Sequence, residues 1–113
     1  MTGWRWRTES KYKNKPTRCR SGVLHASKRE AFRCDQLSML ERAGVVSGLR
    51  AHPQPRYELE INGVKLGRYV ADFEYTQDGR RVVEDSKGGV KTPVYRLKKL
   101  LMKACLGIEV VES

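Results

Sequence analysis

Two tight-turn signals, Asn62-Gly63 and Asp78-Gly79, constrain this chain more than any other feature. Each lies between runs that alternate apolar and polar residues, and such a two-residue loop marks a type I′ β-hairpin. The spacing predicts strands over 57–61, from 64 to about 75, and over 81–87. With Asp78 and Gly79 as the loop, Gln77 pairs with Arg80, Tyr75 with Val82, Phe73 with Glu84, and Asp72 with Asp85. Two aspartates then face each other, their Cβ atoms roughly 4.5–5.5 Å apart. Like charges so placed weaken a sheet unless a shared proton, a nearby cation or a bound metal compensates them. Lys87 lies two residues beyond Asp85 and shares its face. Glu84 points the other way, across from Phe73, where pairing with a nearby arginine is expected.

Helices flank these strands. Ser27-Lys28-Arg29-Glu30 reads as a capping box opening a helix over about 28–43, with Ala31, Cys34, Leu37 and Leu40 as its apolar stripe and Gly44 as its stop. His52-Pro53-Gln54-Pro55 is extended or turning. Gln54 there has either a structural role or a contact with substrate or a metal-bound water. Thr92-Pro93 supplies an N-cap and a first-turn proline for a second helix to about Cys105, with Val94, Leu97, Leu101 and Ala104 as its expected core face. Gly107 ends it, and 108–111 is a short last strand. The expected order is α-β-β-β-α-β, an α/β class.

The 113 residues suffice for one small domain. Lys and Arg number 23 against 13 Asp and Glu, a net charge of +10. Residues 1–33 carry ten of the cations against two Glu, which leaves +8 there. Because 1–22 lacks apolar periodicity, it reads as a basic, partly flexible arm before a domain over 23–113. Such charge suits a polyanion, nucleic acid first. Arg5, Arg7, Lys11, Lys13 and Lys15 of the arm, with Trp4 and Trp6 available to stack, are candidate contacts, as are Lys28 on the first helix and Arg96, Lys99 and Lys103 along the second. No run approaches the roughly 20 apolar residues of a membrane span, and the start has no secretory h-region, so a cytoplasmic protein without a membrane partner is expected. Three cysteines, Cys19, Cys34 and Cys105, without a CxxC, argue against a disulfide framework. Cys19, His25 and Cys34 do not follow zinc spacing, so no zinc site is expected. Gly88-Gly89-Val90-Lys91-Thr92 lacks the span of a phosphate loop, and no GxSxG or GxGxxG occurs.

Two carboxylates and an ammonium on one patch of sheet meet a specific chemical need. Phosphodiester hydrolysis uses a hard divalent cation held by oxygen ligands, Mg²⁺ or Mn²⁺, which polarises the phosphate and activates water. Asp72 and Asp85 are the candidate ligands, with the Ser86 carbonyl as a further oxygen. Lys87 is placed to orient or deprotonate the water.

These residues resemble a known family. Ala71-Asp72, twelve residues, then Asp85-Ser86-Lys87 is similar to the PD-(D/E)xK nuclease signature, and α-β-β-β-α-β is the core of that fold. From Lys11 onward the chain resembles small phage and prophage proteins thought to belong to that superfamily. The likeness lies in Lys11-Tyr12-Lys13-Asn14-Lys15, Ser27-Lys28-Arg29-Glu30-Ala31, Gln54-Pro55, Tyr69-Val70-Ala71-Asp72-Phe73, Val83-Glu84-Asp85-Ser86-Lys87-Gly88 and Thr92-Pro93-Val94-Tyr95. Ala71 stands where the signature has proline, and Asp85 where Glu is more usual. The resemblance implies a metal-dependent DNA endonuclease of phage DNA processing, acting in the bacterial host cytoplasm, with branched or otherwise structured DNA, as for Holliday junction resolvases of this superfamily, among its expected substrates. It implies Asp72 and Asp85 as metal ligands, Lys87 as the catalytic lysine, and Glu30 as the helix carboxylate that completes such a site. Glu30 has the capping box as its rival role. A homodimer is expected if both strands are cut. The rival reading of the whole chain is a nucleic-acid-binding module, or an accessory subunit, without catalysis.

Overall fold

A mixed sheet of four strands lies between two helices in the computed structural model, which describes residues 15–86 and 91–113. Strands β1 (Thr17–Arg18) and β2 (Leu24–His25) form a small hairpin before helix α1 (Lys28–Arg42). Then come β3 (Ser47–Arg50), the hairpin of β4 (Arg56–Ile61) and β5 (Val64–Val70), the hairpin of β6 (Phe73–Gln77) and β7 (Arg80–Asp85), helix α2 (Pro93–Leu106) and β8 (Val111–Glu112). The main sheet runs β3-β6-β7-β8, with β8 parallel to β7 and the other pairs antiparallel. The molecule is therefore α/β with mixed sheets. No helix among the described residues is long and apolar enough to cross a membrane.

The two turns have the expected geometry. Asn62 and Gly63 take φ of 52° and 78°, and Asp78 and Gly79 take 53° and 75°, as a type I′ loop requires. The Asp78-Gly79 register is the expected one, from Gln77 opposite Arg80 to Phe73 opposite Glu84. A Cβ at Gly79 would meet nothing within 4 Å, so only its backbone conformation opposes a side chain. Gly79→Ala is accordingly expected to cost about 1 kcal/mol, read as a lower urea midpoint with an unchanged slope.

Four differences from the expected elements have local causes. The strand expected from 64 to 75 is two strands, because β5 pairs with β4 whereas β6 pairs with β7 and β3. The chain changes sheets at Ala71-Asp72, where the Ala71 N–H donates to the Pro55 carbonyl at 3.0 Å. Strand β3 was not anticipated, since Ser47-Gly48-Leu49-Arg50 does not alternate; its pairing with β6 is irregular between Ser47 and Arg50. The last strand is Val111–Glu112 rather than 108–111. Within the stretch read as an arm, Thr17–Arg18 pairs with β2 and Cys19 is buried. Arg5, Arg7, Lys11 and Lys13, with Trp4 and Trp6, lie outside the described residues, as do Lys87, Gly88 and Gly89.

Each face of the sheet has its own apolar cluster. Phe73 and Tyr75 pack with Ala31, Cys34 and Leu37 of α1, the expected stripe. Val83, with Tyr57, Leu59 and Tyr69 of the β4–β5 hairpin, packs with Met102 of α2. Helix α2 turns a different face inward from the one expected. Val94 and Leu97 are 61% and 56% exposed, while Tyr95, Leu101, Met102 and Cys105 face the core. The inward stripe 95, 98, 102, 105 contains a lysine, which hides it from a hydropathy reading. Lys98 fits there because its Nζ donates to the Arg68 carbonyl at 2.9 Å, leaving its alkyl stem along the apolar surface.

Candidate functional site

Alternation along β7 sends Val82 and Glu84 toward α1, and Val83 and Asp85 toward α2. Glu84 meets Arg33 of α1, Nε to Oε2 at 2.6 Å and Nη2 to Oε1 at 3.0 Å, and accepts the Tyr75 hydroxyl at 2.6 Å. This is the arginine pairing expected of it.

Asp85 and Asp72 meet at the end of the β6–β7 ladder. The Asp72 N–H donates to Asp85 Oδ1 at 3.0 Å, and the Ser86 N–H donates to Asp72 Oδ2 at 2.9 Å. Gln54 donates its amide to Asp72 Oδ1 at 3.0 Å, and the Tyr69 hydroxyl donates to Asp85 Oδ2. Each of the four carboxylate oxygens thus accepts a hydrogen bond, which offsets part of the cost of placing two acids together, one of them buried. Tyr69 belongs to the Tyr69-Val70-Ala71-Asp72-Phe73 stretch of the family resemblance, which assigns it no role; it stands opposite Tyr57 in the β4–β5 hairpin.

A basic groove of about 450 Å³ runs beside the acids, lined by Lys91, Tyr95, Arg96, Lys99, Lys103, Glu109 and Glu112 among others. It gathers the three cations expected on the second helix. Glu112 stands in register beside Asp85 across the parallel β7–β8 pair. It accepts the Tyr95 hydroxyl at 2.8 Å and Lys99 Nζ at 3.2 Å, with Lys91 Nζ at 3.3 Å. The Tyr95 hydroxyl, followed by these lysines, holds Glu112 below the usual carboxylate range. Tyr95 is itself pushed up by burial, by its bond to Glu112 and by the charges of Asp85 and Asp72. Lys15 and Lys28 are exposed on the chain's other elements and do not line this groove.

The donors suit a hard divalent cation. All are oxygens, and Ser86, whose N–H holds Asp72, has a buried hydroxyl without a hydrogen-bond partner among the described residues. Lys87, the expected catalytic lysine, lies outside the described residues. Glu30 is engaged elsewhere. Its N–H donates to the Ser27 hydroxyl at 3.1 Å, the first half of the capping box, but its carboxylate goes to His25 Nδ1 at 2.7 Å instead of back to the cap. A hollow of about 390 Å³ is lined by Glu30, His25, His52 and by Gln54, which also donates to Asp72.

The intervals between Cys19, His25, Cys34 and His52 follow no zinc motif, yet the fold brings the side chains together. One ligand atom from each of Cys19, His25, Cys34 and His52 lies within 4.8 Å of the others, the first three residues being buried. The four residues come from the β1–β2 turn, β2, α1 and the segment after β3, so no short motif records them. The legible signal was instead a count: both histidines and two of the three cysteines fall between positions 19 and 52. Cys34 Sγ is 3.5 Å from His52 Nε2, and Cys19 Sγ is 2.9 Å from the Ser21 hydroxyl. Burial raises the Cys19 thiol, but bonds from Ser21, His25 and the backbone outweigh it and bring the group to about 6. Burial, then the neighbouring Cys19, pushes the Cys34 thiol up to about 12.

A family model described as "Protein of unknown function (DUF1064)" matches residues 9–107. Neither the curated proteins nor the solved structures contain a match to this chain.

Proposed function

The chain belongs to the DUF1064 family, and from that premise we propose that it is a metal-dependent DNA endonuclease of PD-(D/E)xK type. One observation carries the reading: two interlocked aspartates at the end of an antiparallel ladder, with Asp85 in register with Glu112, which lines a basic groove. Asp72 and Asp85 would hold Mg²⁺ or Mn²⁺, with an oxygen of Ser86 nearby. The bound ion would supply Lewis acidity toward the scissile phosphate. Gln54, Tyr69 and the Asp72 and Ser86 N–H groups orient the two carboxylates, so the pair is held before an ion arrives. Arg96, Lys99 and Lys103 would carry the DNA backbone along the groove. Lys87 would orient or deprotonate the attacking water. Glu30, held by His25 on the α1 side, is not assigned to this centre. The test is incubation with supercoiled plasmid and four-way junctions, with and without Mg²⁺, beside the aspartate variants.

A second reading, DNA binding without catalysis, is favoured by the hydrogen bonds that already engage every oxygen of the pair. It gives binding that a chelator leaves unchanged and no nicking. Both readings use the groove. Arg96→Ala with Lys103→Ala is expected to weaken binding across all sequences and to lower the slope of log affinity against log salt by about 2. Titrations at several salt concentrations measure it, and an unchanged slope would place the DNA elsewhere.

A further inference from the structure

We propose that Cys19, His25, Cys34 and His52 form a structural Zn²⁺ site that pins the β1–β2 hairpin and the segment after β3 to helix α1. Four features converge. Tetrahedral zinc with Zn–S of about 2.3 Å and Zn–N of about 2.0–2.1 Å sets its ligand atoms roughly 3.3–3.8 Å apart. The four atoms here lie within 4.8 Å of one another, a gap that small side-chain rotations close. The donors are two thiols and two imidazoles, a set that selects zinc over the hard cations suited to Asp72 and Asp85. His25 Nε2 is buried and makes no well-formed hydrogen bond among the described residues; the group it faces is the Cys19 thiol. Its other nitrogen, Nδ1, is 2.7 Å from Glu30. With the proton on Nδ1, Nε2 presents a lone pair, and Glu30 is the carboxylate that orients a metal-bound histidine.

The site is closed by four protein ligands, which is the structural rather than the catalytic form. The β1 and β2 strands have two residues each, so their own pairing is weak, and the hairpin relies on Cys19 and Val23 packing in the α1 cluster and on Arg20 N–H donating to Asp35. A metal that joins Cys19 and His25 to Cys34 and His52 anchors that hairpin to the helix. It gives Glu30 a role on the α1 side, and it stands or falls separately from the hydrolytic reading.

The test uses the full chain, reduced and stripped with a chelator, then given Zn²⁺ alone. One equivalent is expected to remain bound after gel filtration. Peptide mapping after brief alkylation should show Cys19 and Cys34 protected by about tenfold or more, with Cys105, which lies outside the cluster, labelled as before. Co²⁺ in place of Zn²⁺ should give the visible bands of a tetrahedral site and near-ultraviolet thiolate charge transfer. His52→Ala, at an exposed position, should fold and lose that protection. Equal labelling of Cys19 and Cys34 with and without Zn²⁺, protection that extends to Cys105, or a Co²⁺ spectrum without thiolate bands would overturn the assignment. So would a Cys19–Cys34 disulfide whose reduction yields no Zn²⁺ uptake.

Discussion

Arg33→Met is expected to lower the unfolding free energy by about 3–5 kcal/mol and Tm by roughly 10–20 °C. The cause is the charge left behind. The Glu84 side chain is 2% exposed, against 25% for Arg33, so removing the arginine leaves a buried carboxylate without its cation, the Tyr75 hydroxyl still donating to it. Replacing the polar group as a whole is a different experiment. Arg33→Met with Glu84→Leu and Tyr75→Phe leaves nothing unpaired and should recover most of the loss, since a buried ion pair is seldom better than apolar packing of similar volume. The pH dependence separates the two cases. In the native chain, burial raises Glu84, but Arg33 and then Tyr75 outweigh it and hold the group below its ordinary 4.5. That contribution is complete above 4.5 and drains as pH falls through the lower folded value. Without Arg33 the burial effect prevails and the folded value rises above the unfolded one. The sign reverses, so Arg33→Met should lose further stability as pH rises through that raised value. Urea unfolding between pH 4 and 8 reads both, and a loss below about 1 kcal/mol with an unchanged profile would mean that Glu84 is solvated.

The same hairpin shows what a sequence can and cannot record. Asp78-Gly79 fixes a register by local backbone geometry, and from that register follow Glu84 toward Arg33 and the meeting of Asp72 with Asp85. Ser27 and Thr92 act as N-caps, Ser27 accepting from Glu30 N and Thr92 from Tyr95 N, for equally local reasons. What stayed hidden depends on tertiary partners. The inward face of α2 contains half-exposed Lys98, whose ammonium reaches out to the Arg68 carbonyl. Strand β3 has no alternation of its own and exists because β6 offers an edge. Glu30 fits a capping box by spacing, yet its carboxylate turns to His25, a residue from the preceding hairpin. The Cys and His cluster is the extreme case, because four elements supply one residue each and the intervals between them carry no motif.

Asp72→Asn is expected to reduce Mg²⁺-dependent cleavage by roughly three orders of magnitude or more, because a metal's charge stabilisation amounts to several kcal/mol. The substitution should disturb the fold little. Asp72 is partly exposed, and an asparagine can still accept the Ser86 N–H through its carbonyl, while the exposed Gln54 can turn its amide oxygen toward the new NH₂. Asp85→Asn removes as much activity but also touches structure. Its carbonyl can keep the Asp72 N–H, while its new NH₂ meets the Tyr69 hydroxyl, now a donor. That hydroxyl must rotate to accept, at a cost of about 1–3 kcal/mol if it fails. Tyr69→Phe separates the effects, since it removes the hydroxyl but leaves both carboxylates in place. It should match the stability loss of Asp85→Asn and retain cleavage within about 10–100-fold of the native rate, as expected when only the orientation of a ligand is weakened. Nicking assays at saturating Mg²⁺, paired with thermal melts, distinguish these outcomes. Full cleavage by the Asp72→Asn, Asp85→Asn double variant would remove the acid pair from the chemistry. Cleavage lost equally in Tyr69→Phe, with a lowered Tm, would reduce the pair to a structural clasp between the β4–β5 hairpin and the main sheet.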